Sequence, residues 1–371
     1  MPRPRVVILT SIMAPHRIAA FNALAADPDL DVEYIYLAES DPSRAWDTHQ
    51  EEMRFRHRSL RERWRLRRGQ SYVHLTSGFM RALHELRPDV LVVGGWDQAA
   101  YLQAYGLRPF LNTKFLWWVE SNQRDRRPER AALRFAKQRL LSSVDGVVVP
   151  GSASRDYVIA LGAPTDRIWV APNAVDNERY RRGTVDRSGR SGPVQVLFAG
   201  RLESAKGVLT LLDAWSLIGR GRELTIVGDG SLRERMAERV RCSVMAPVRM
   251  LGHLERDDLV GRYAEADLFA FPSVSDPWGL VLNEAMAAGL PVVATSAPGA
   301  VDDLVHQGRN GLIVEPLDAA ALADAIVTLS DDPELRFQMG AESSAIIRGF
   351  EPIAWATGMR NAVLGVLGRG S

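Results

Sequence analysis

Short apolar runs alternate with amphipathic stretches along almost the whole chain. The runs Arg5–Thr10, Val32–Leu37, Val90–Val93, Phe115–Val119 and Gly146–Val149 have the length and β-branched content of strands. Segments with helical spacing of apolar positions lie between and after them, at Arg17–Ala26, Gly78–Leu86, Glu129–Leu141 and Ser152–Leu161. A run that stays apolar without alternating is buried on both faces, which predicts strands of a parallel sheet covered by helices. Residues 177–192 break the pattern, being polar and glycine-bearing with no apolar period, and read as a linker. The pattern restarts at Val194–Ala199 and continues through Glu223–Val227, Val248–Leu251, Leu268–Phe271 and Pro291–Ala294. This predicts an α/β protein of two doubly wound, Rossmann-like domains, residues 1–176 and 193–351, facing a cleft. A tail at 352–371 carries a last helix, Pro352–Leu367, and packing back onto the first domain is one placement the sequence leaves open. In such sheets ligands bind beyond the carboxyl ends of the strands.

Composition narrows the function. The 371 residues carry 46 basic and 45 acidic side chains, and a net charge of +1 argues against a nucleic-acid partner. The balance conceals two unlike halves, because residues 1–180 are net basic and residues 181–371 net acidic. One cysteine, Cys242, allows neither an internal disulfide nor a cysteine-based zinc cluster, which fits a reducing compartment. The apolar run near the N-terminus is too short for a membrane span or signal peptide, so the expectation is a soluble, cytoplasmic protein. Only three cations are lysine (Lys114, Lys137 and Lys206), and Lys206 alone falls in a chemically suggestive setting.

That setting is the stretch GRLESAKG, leaving a strand and entering a helix. Gly200 allows a tight turn and Gly207 a close approach at the helix start. Arg201 and Lys206 can converge there on one anion, assisted by the helix N-terminus, and a diphosphate fits that description. The competing reading is an ordinary solvated pair. In an arginine-dominated chain, a lysine here suggests a compact, flexible ammonium.

A second stretch, SDPWGLVLNEAMAAGLPVVAT, follows the strand ending at Phe271. A helix begins near Gly279 and stops at Gly289 with Pro291 beyond. Backbone amides around Gly279, Leu280 and Val281 are suited to phosphate or sugar oxygens. A carboxylate at Glu284 can grip a ribose diol, and Asp276 can meet a sugar hydroxyl. The competing readings are a helix cap for Asp276 and a solvated helix residue for Glu284.

These stretches, with IVGDGSL, GHLERDDLVGRYAEADLFAFPS, GRNGLIVEPLDAAALADAI and DDPELRFQMG in order across residues 194–345, resemble retaining glycosyltransferases of family 4, which have the GT-B fold. PNAVD at 172–176 is similar to the family's hinge signature, with Ala174 in place of the usual glycine. The resemblance implies that Arg201 and Lys206 bind the donor diphosphate, that Glu284 holds the nucleotide ribose, and that Asp276 takes the place of the first glutamate of an E-x7-E motif. Trp278 stands where phenylalanine is usual, and Gly252-His253-Leu254 resembles the loop passing the base. It implies a metal-independent enzyme without a resident cofactor, moving a sugar from a nucleotide donor, most commonly a UDP-sugar, to a hydroxyl. Alternatives are a nucleotide-sugar epimerase on the same fold and an inactive nucleotide-sugar-binding protein.

The N-terminal half resembles the family only in outline, as an acceptor domain would. Met13-Ala14-Pro15-His16-Arg17 replaces the family's glycine-rich first loop, placing His16 and Arg17 as acceptor candidates. Asp97 and Glu120, each following a strand, join them. No functional histidine can be placed in this half; His74 and His84 read as helix or loop residues, and the tryptophans as core. The run Arg54–Arg68 holds eight arginines interleaved with Phe55, Trp64 and Leu66. It is either a solvated edge strand and loop or a basic patch for anionic lipid or an anionic or lipid-linked acceptor, which would put the protein at the inner face of the membrane.

Overall fold

The computed structural model describes residues 2–41, 47–68, 71–124, 131–182, 192–242 and 246–368. The chain forms two compact units: Met1–Gln123, Arg127–Ala174 and Pro352–Ser371 make one, and Val175–Glu351 with Arg124–Arg126 the other.

The first unit contains β1 (Arg5–Ile12), α1 (Ile18–Ala25), β2 (Asp31–Ala38), β3 (Arg56–Ser59), β4 (Arg61–Arg68), β5 (Ser71–Ser77), α2 (Phe79–Leu86) and β6 (Val90–Gly94). It continues with α3 (Ala99–Leu107), β7 (Lys114–Trp118), α4 (Ala131–Ser143), β8 (Gly146–Val149), α5 (Ser152–Ala160) and β9 (Ile168–Val170). Seven strands form a parallel sheet in the order β3-β2-β1-β6-β7-β8-β9, and β4 and β5 make a separate antiparallel hairpin. Along β1, Val7 and Leu9 enter one apolar cluster while Val6 and Ile8 enter another on the opposite face. Burial on both faces is why these strands read as unbroken apolar runs.

The second unit contains α6 (Asn177–Arg182), β10 (Val194–Ala199), α7 (Val208–Leu217), β11 (Arg222–Val227), α8 (Arg233–Cys242), β12 (Val248–Gly252) and α9 (Arg256–Glu265). After these come β13 (Leu268–Phe271), α10 (Leu280–Ala287), β14 (Val292–Thr295), α11 (Val301–Leu304), β15 (Gly311–Val314), α12 (Ala319–Asp331) and α13 (Pro333–Ile347). Its parallel sheet has the order β12-β11-β10-β13-β14-β15, again with a cluster on each face. The chain then re-enters the first unit as α14 (Pro352–Val366), whose Trp355 packs 5.4 Å from Phe21 and 5.5 Å from Trp118. Each sheet reverses its winding once, between β1 and β6 and between β10 and β13, and the loops leaving those strands form the natural ligand position of such a sheet.

Several elements differ from the sequence reading. Residues 177–182, read as the start of a linker, form α6, because Tyr180 and Asn177 are buried against the second unit. The remaining linker residues 183–191 lie outside the described residues, as do Glu129 and Arg130 of the expected fourth helix. The arginine run supplies β3, an edge strand of the first sheet as one of its two readings had it, but continues into β4 of the hairpin where that reading had a loop. His74 sits on β5 rather than on a helix or loop, buried with Nδ1 2.6 Å from Glu62. Lys137, which showed no distinctive setting in the sequence, lies 4.9 Å over the Trp96 ring and donates to the Tyr157 hydroxyl at 2.8 Å. Among the described residues no helix is long and apolar enough to cross a membrane.

Candidate active site

In the second unit, the two motif loops leave adjacent strands. The loop after β10 carries Gly200, Arg201 and Lys206, and the loop after β13 carries Asp276, Trp278 and Gly279. Val274 and Ser275 donate backbone hydrogen bonds to the Ala205 carbonyl at 2.8 and 3.1 Å, stitching the loops together. Gly207, at φ +66°, caps α7; a Cβ there would lie 1.9 Å from the Pro272 carbonyl oxygen, so only glycine lets the backbones meet.

This approach sets the polar chemistry. Lys206 Nζ forms an ion pair with Asp276 Oδ2, and both side chains are largely buried. Asp276 Oδ1 also accepts from the Trp278 backbone amide at 3.4 Å. Asp276 is therefore not the cap of α10: that position is Gly279, at φ +103° and without a side-chain cap. Arg201 donates to Glu203 at 3.1 Å and remains substantially exposed. The part-buried lysine–aspartate pair and the more exposed arginine thus lie on the same pair of stitched loops, and the carboxylate keeps the lysine in place.

Glu284, one turn into α10, is buried rather than solvated. Its carboxylate accepts from the Tyr263 hydroxyl at 2.8 Å and from Tyr180, whose ring meets that of Tyr263 edge-on at 5.5 Å. Burial raises its pKa from an ordinary 4.5 to about 7, against the lowering effect of the two tyrosine hydroxyls. The same burial, with the Glu284 charge beside them, pushes both tyrosines well above their ordinary range. Tyr263 and Tyr180 are partners of the candidate residue Glu284 that sequence reasoning missed. The available signal was an aromatic in each of two polar helices, NERYRR and RDDLVGRYAE.

The other expected donor residues divide. Leu280 and Val281 are partly buried in the first turn of α10. His253 is exposed after β12, 3.6 Å from Glu255, and Leu254 is half-buried beside it. The Trp278 ring is turned into the core and its Nε1 donates to Asn283 at 2.9 Å, so this residue faces the site only through its backbone.

In the first unit, Arg17 and Glu120 come together: Nη2 donates to Oε1 at 2.6 Å. The guanidinium also reaches Asn173 at 3.4 Å and lies 4.4 Å over the Trp118 ring. His16 is half-buried next to Arg17, and Asp97 is exposed on the loop after β6. These residues occupy the loops after β1, β6, β7 and β9, at the carboxyl ends of the strands. Trp117 and Trp118 are core residues.

Comparison with known proteins decides what this framework belongs to. Residues 193–332 match the family model for glycosyl transferases group 1, and residues 22–179 that for glycosyltransferase family 4. The chain belongs to the group 1/family 4 glycosyltransferases. It is 30% identical over 258 residues to a glycogen synthase of Mycobacterium tuberculosis, an alignment covering 67% of this chain and 61% of the relative. It is 33% identical over 249 residues to a D-inositol 3-phosphate glycosyltransferase of Corynebacterium efficiens, covering 62% of this chain and 58% of the relative. The chain thus spans about three-fifths of the length of these curated relatives. In fold, this family 4 chain is similar to HepE of Anabaena in complex with UDP, with a TM-score of 0.76 at 19% identity over 96% of this chain and 98% of that one. It is also similar to sucrose-phosphate synthase of Thermosynechococcus elongatus, with a TM-score of 0.73 at 20% identity and the same coverage of each chain. The two parallel sheets are those of the GT-B architecture.

Proposed function

We propose that this family 4 chain is a retaining, metal-independent glycosyltransferase that moves a sugar from a UDP-sugar to a hydroxyl of a saccharide, lipid-linked or natural-product acceptor. The observation that carries the reading is the Lys206–Asp276 pair, held between the β10 and β13 loops, with Arg201 on the β10 loop and Glu284 on the helix that follows the β13 loop. In transfer, the anomeric C–O bond to the diphosphate breaks, a C–O bond to the acceptor oxygen forms, and the hydroxyl's proton is released. Negative charge grows on the departing diphosphate. Arg201, Lys206 and the amides opening α10 are the groups positioned to stabilise it, a role that otherwise falls to a metal ion. Glu284 accepts hydrogen bonds from the ribose hydroxyls, and Asp276 orients the donor sugar while fixing Lys206.

The UDP complex of HepE supports a uridine donor, and the inositol phosphate relatives support a phosphorylated polyol as one class of acceptor. In the first unit, Arg17, braced by Glu120 and Asn173, is the cation suited to such an acceptor. Screening a nucleotide-sugar panel for release of the nucleoside diphosphate tests the donor, and the anomeric configuration of the product tests retention. Lys206→Ala should lower transfer at least about a hundredfold, the scale of losing one transition-state charge contact. Near-wild-type turnover of that variant at saturating donor would remove the phosphate role from Lys206.

A further inference from the structure

The β4–β5 hairpin has two unlike faces. Its register sets Arg65 opposite His74 and Arg67 opposite Tyr72, and sets Trp64 opposite Leu75 and Leu66 opposite Val73. The first face turns to the body of the unit. There the buried His74 meets Glu62, Arg65 pairs with Glu62, and Gln98 bonds the backbone of both Tyr72 and His74. The second face is apolar yet uncovered, with Trp64 73% and Leu66 55% exposed.

The arginines around it are not all engaged in the same way. On β3, Arg56 pairs with Asp31, and Arg58 with Glu33 and Glu85, so these two neutralise the fold's own carboxylates. Arg61 and Arg63 make no ion pair among the described residues. Arg63 sits at a bulge in the hairpin and donates to the Ser77 hydroxyl at 2.8 Å. An exposed indole and an isobutyl group side by side, with the guanidinium groups of Arg61 and Arg63 unneutralised among the described residues, match the boundary of an anionic bilayer, where Trp is favoured and phosphates are dense. A second copy of the chain is a poor occupant, because self-pairing of this face would bring like arginines together. A nucleic acid would use the indole for stacking but leave Leu66, Val73 and Leu75 without an apolar partner.

We infer that the outer face of the β4–β5 hairpin seats the first unit on an anionic membrane surface, with Trp64 and Leu66 in the headgroup layer and Arg61 and Arg63 against lipid phosphates. This contact needs no donor or acceptor, so it stands or falls apart from the transferase reading. The test is sedimentation of the full chain with phosphatidylcholine vesicles, with and without phosphatidylglycerol. The protein should partition onto the phosphatidylglycerol vesicles and come off as salt shortens the screening length. Trp64→Ser with Leu66→Ser should weaken binding on the order of tenfold, from two partly buried apolar side chains. Arg61→Ser with Arg63→Ser should weaken it about thirtyfold, at about fivefold per arginine. Because these side chains are on the surface, circular dichroism should be unchanged in both variants. Absence of vesicle binding, equal binding to neutral vesicles, or full binding by either double variant would overturn the inference. So would partition onto a single-stranded oligonucleotide in place of vesicles, or a dimer that Trp64→Ser with Leu66→Ser dissolves.

Discussion

Replacing Glu284 by glutamine separates the energetic cost of this carboxylate from its use. Its carboxyl group is buried, and burial raises its pKa from an ordinary 4.5 to about 7. Each tenfold change in proton affinity corresponds to about 1.4 kcal/mol, so the ionised form carries a penalty of about 3 kcal/mol in the folded chain. Below pH 4.5 the group is neutral in both folded and unfolded chains and adds no pH dependence. Between pH 4.5 and about 7 the unfolded chain ionises it and the folded chain does not, so wild-type stability falls by about 1.4 kcal/mol per pH unit from this group alone. Above pH 7 both states are ionised and the full penalty remains. Glutamine has the same shape and an oxygen that accepts from the Tyr263 hydroxyl, yet does not titrate.

Glu284→Gln should therefore match wild type near pH 4.5 and exceed it by about 3 kcal/mol at pH 8. Urea unfolding followed by circular dichroism across this range measures the difference. A difference that stays flat with pH would refute a buried, neutral Glu284. Activity should move the other way. An ionised carboxylate is the better acceptor for a ribose diol, so wild-type donor KM should fall as pH rises through 7. In Glu284→Gln the KM should be raised and insensitive to pH.

Three further substitutions probe the surroundings. Tyr180→Phe removes one hydroxyl that favours the ionised carboxylate, so the midpoint of the donor KM profile should move to higher pH with kcat little changed; an unmoved midpoint would show that Tyr180 does not position Glu284. Gly207→Ala places a Cβ 1.9 Å from the Pro272 oxygen at positive φ, and should cost at least about 2 kcal/mol in urea unfolding while separating the β10 and β13 loops. Trp355→Ala empties a site packed by Phe21 and Trp118, and should cost about 3–5 kcal/mol and expose α14 to limited proteolysis.

What the sequence made legible follows from what each residue is buried against. Strands flanked by helices on both faces, such as Val194–Ala199 and Leu268–Phe271, show as apolar runs because every side chain but that of Gln195 meets core. β3 and β4 show no apolar run because their arginines face carboxylates or solvent, so the sequence offered an edge strand there but not the boundary between strand and loop. α3 escapes for the opposite reason: its apolar residues fall on all sides, leaving Leu102 exposed and no stripe to detect.

The site divides along the same line. Lys206 and Asp276 were recoverable because their loops leave strands, and Glu284 because it lies one turn into the helix that follows, so that their spacing along the chain reports a strand-to-helix turn. Their mutual arrangement was not. The Lys206–Asp276 pair joins residues 70 apart, and depends on Gly207 letting two loops touch. Tyr180 was hidden most deeply, in a polar segment without an apolar period. Its hydroxyl has a meaning only once α6 lies against α10, because the partner that makes it a site residue is a carboxylate much further along the chain. Trp278 shows the converse. Its position in the motif says that the backbone passes the site, but whether the ring faces donor or core is decided by Asn283, which accepts its indole N–H and holds the ring inward. Local pattern thus locates the chemistry, while the protonation and orientation of each group are set by residues distant in sequence.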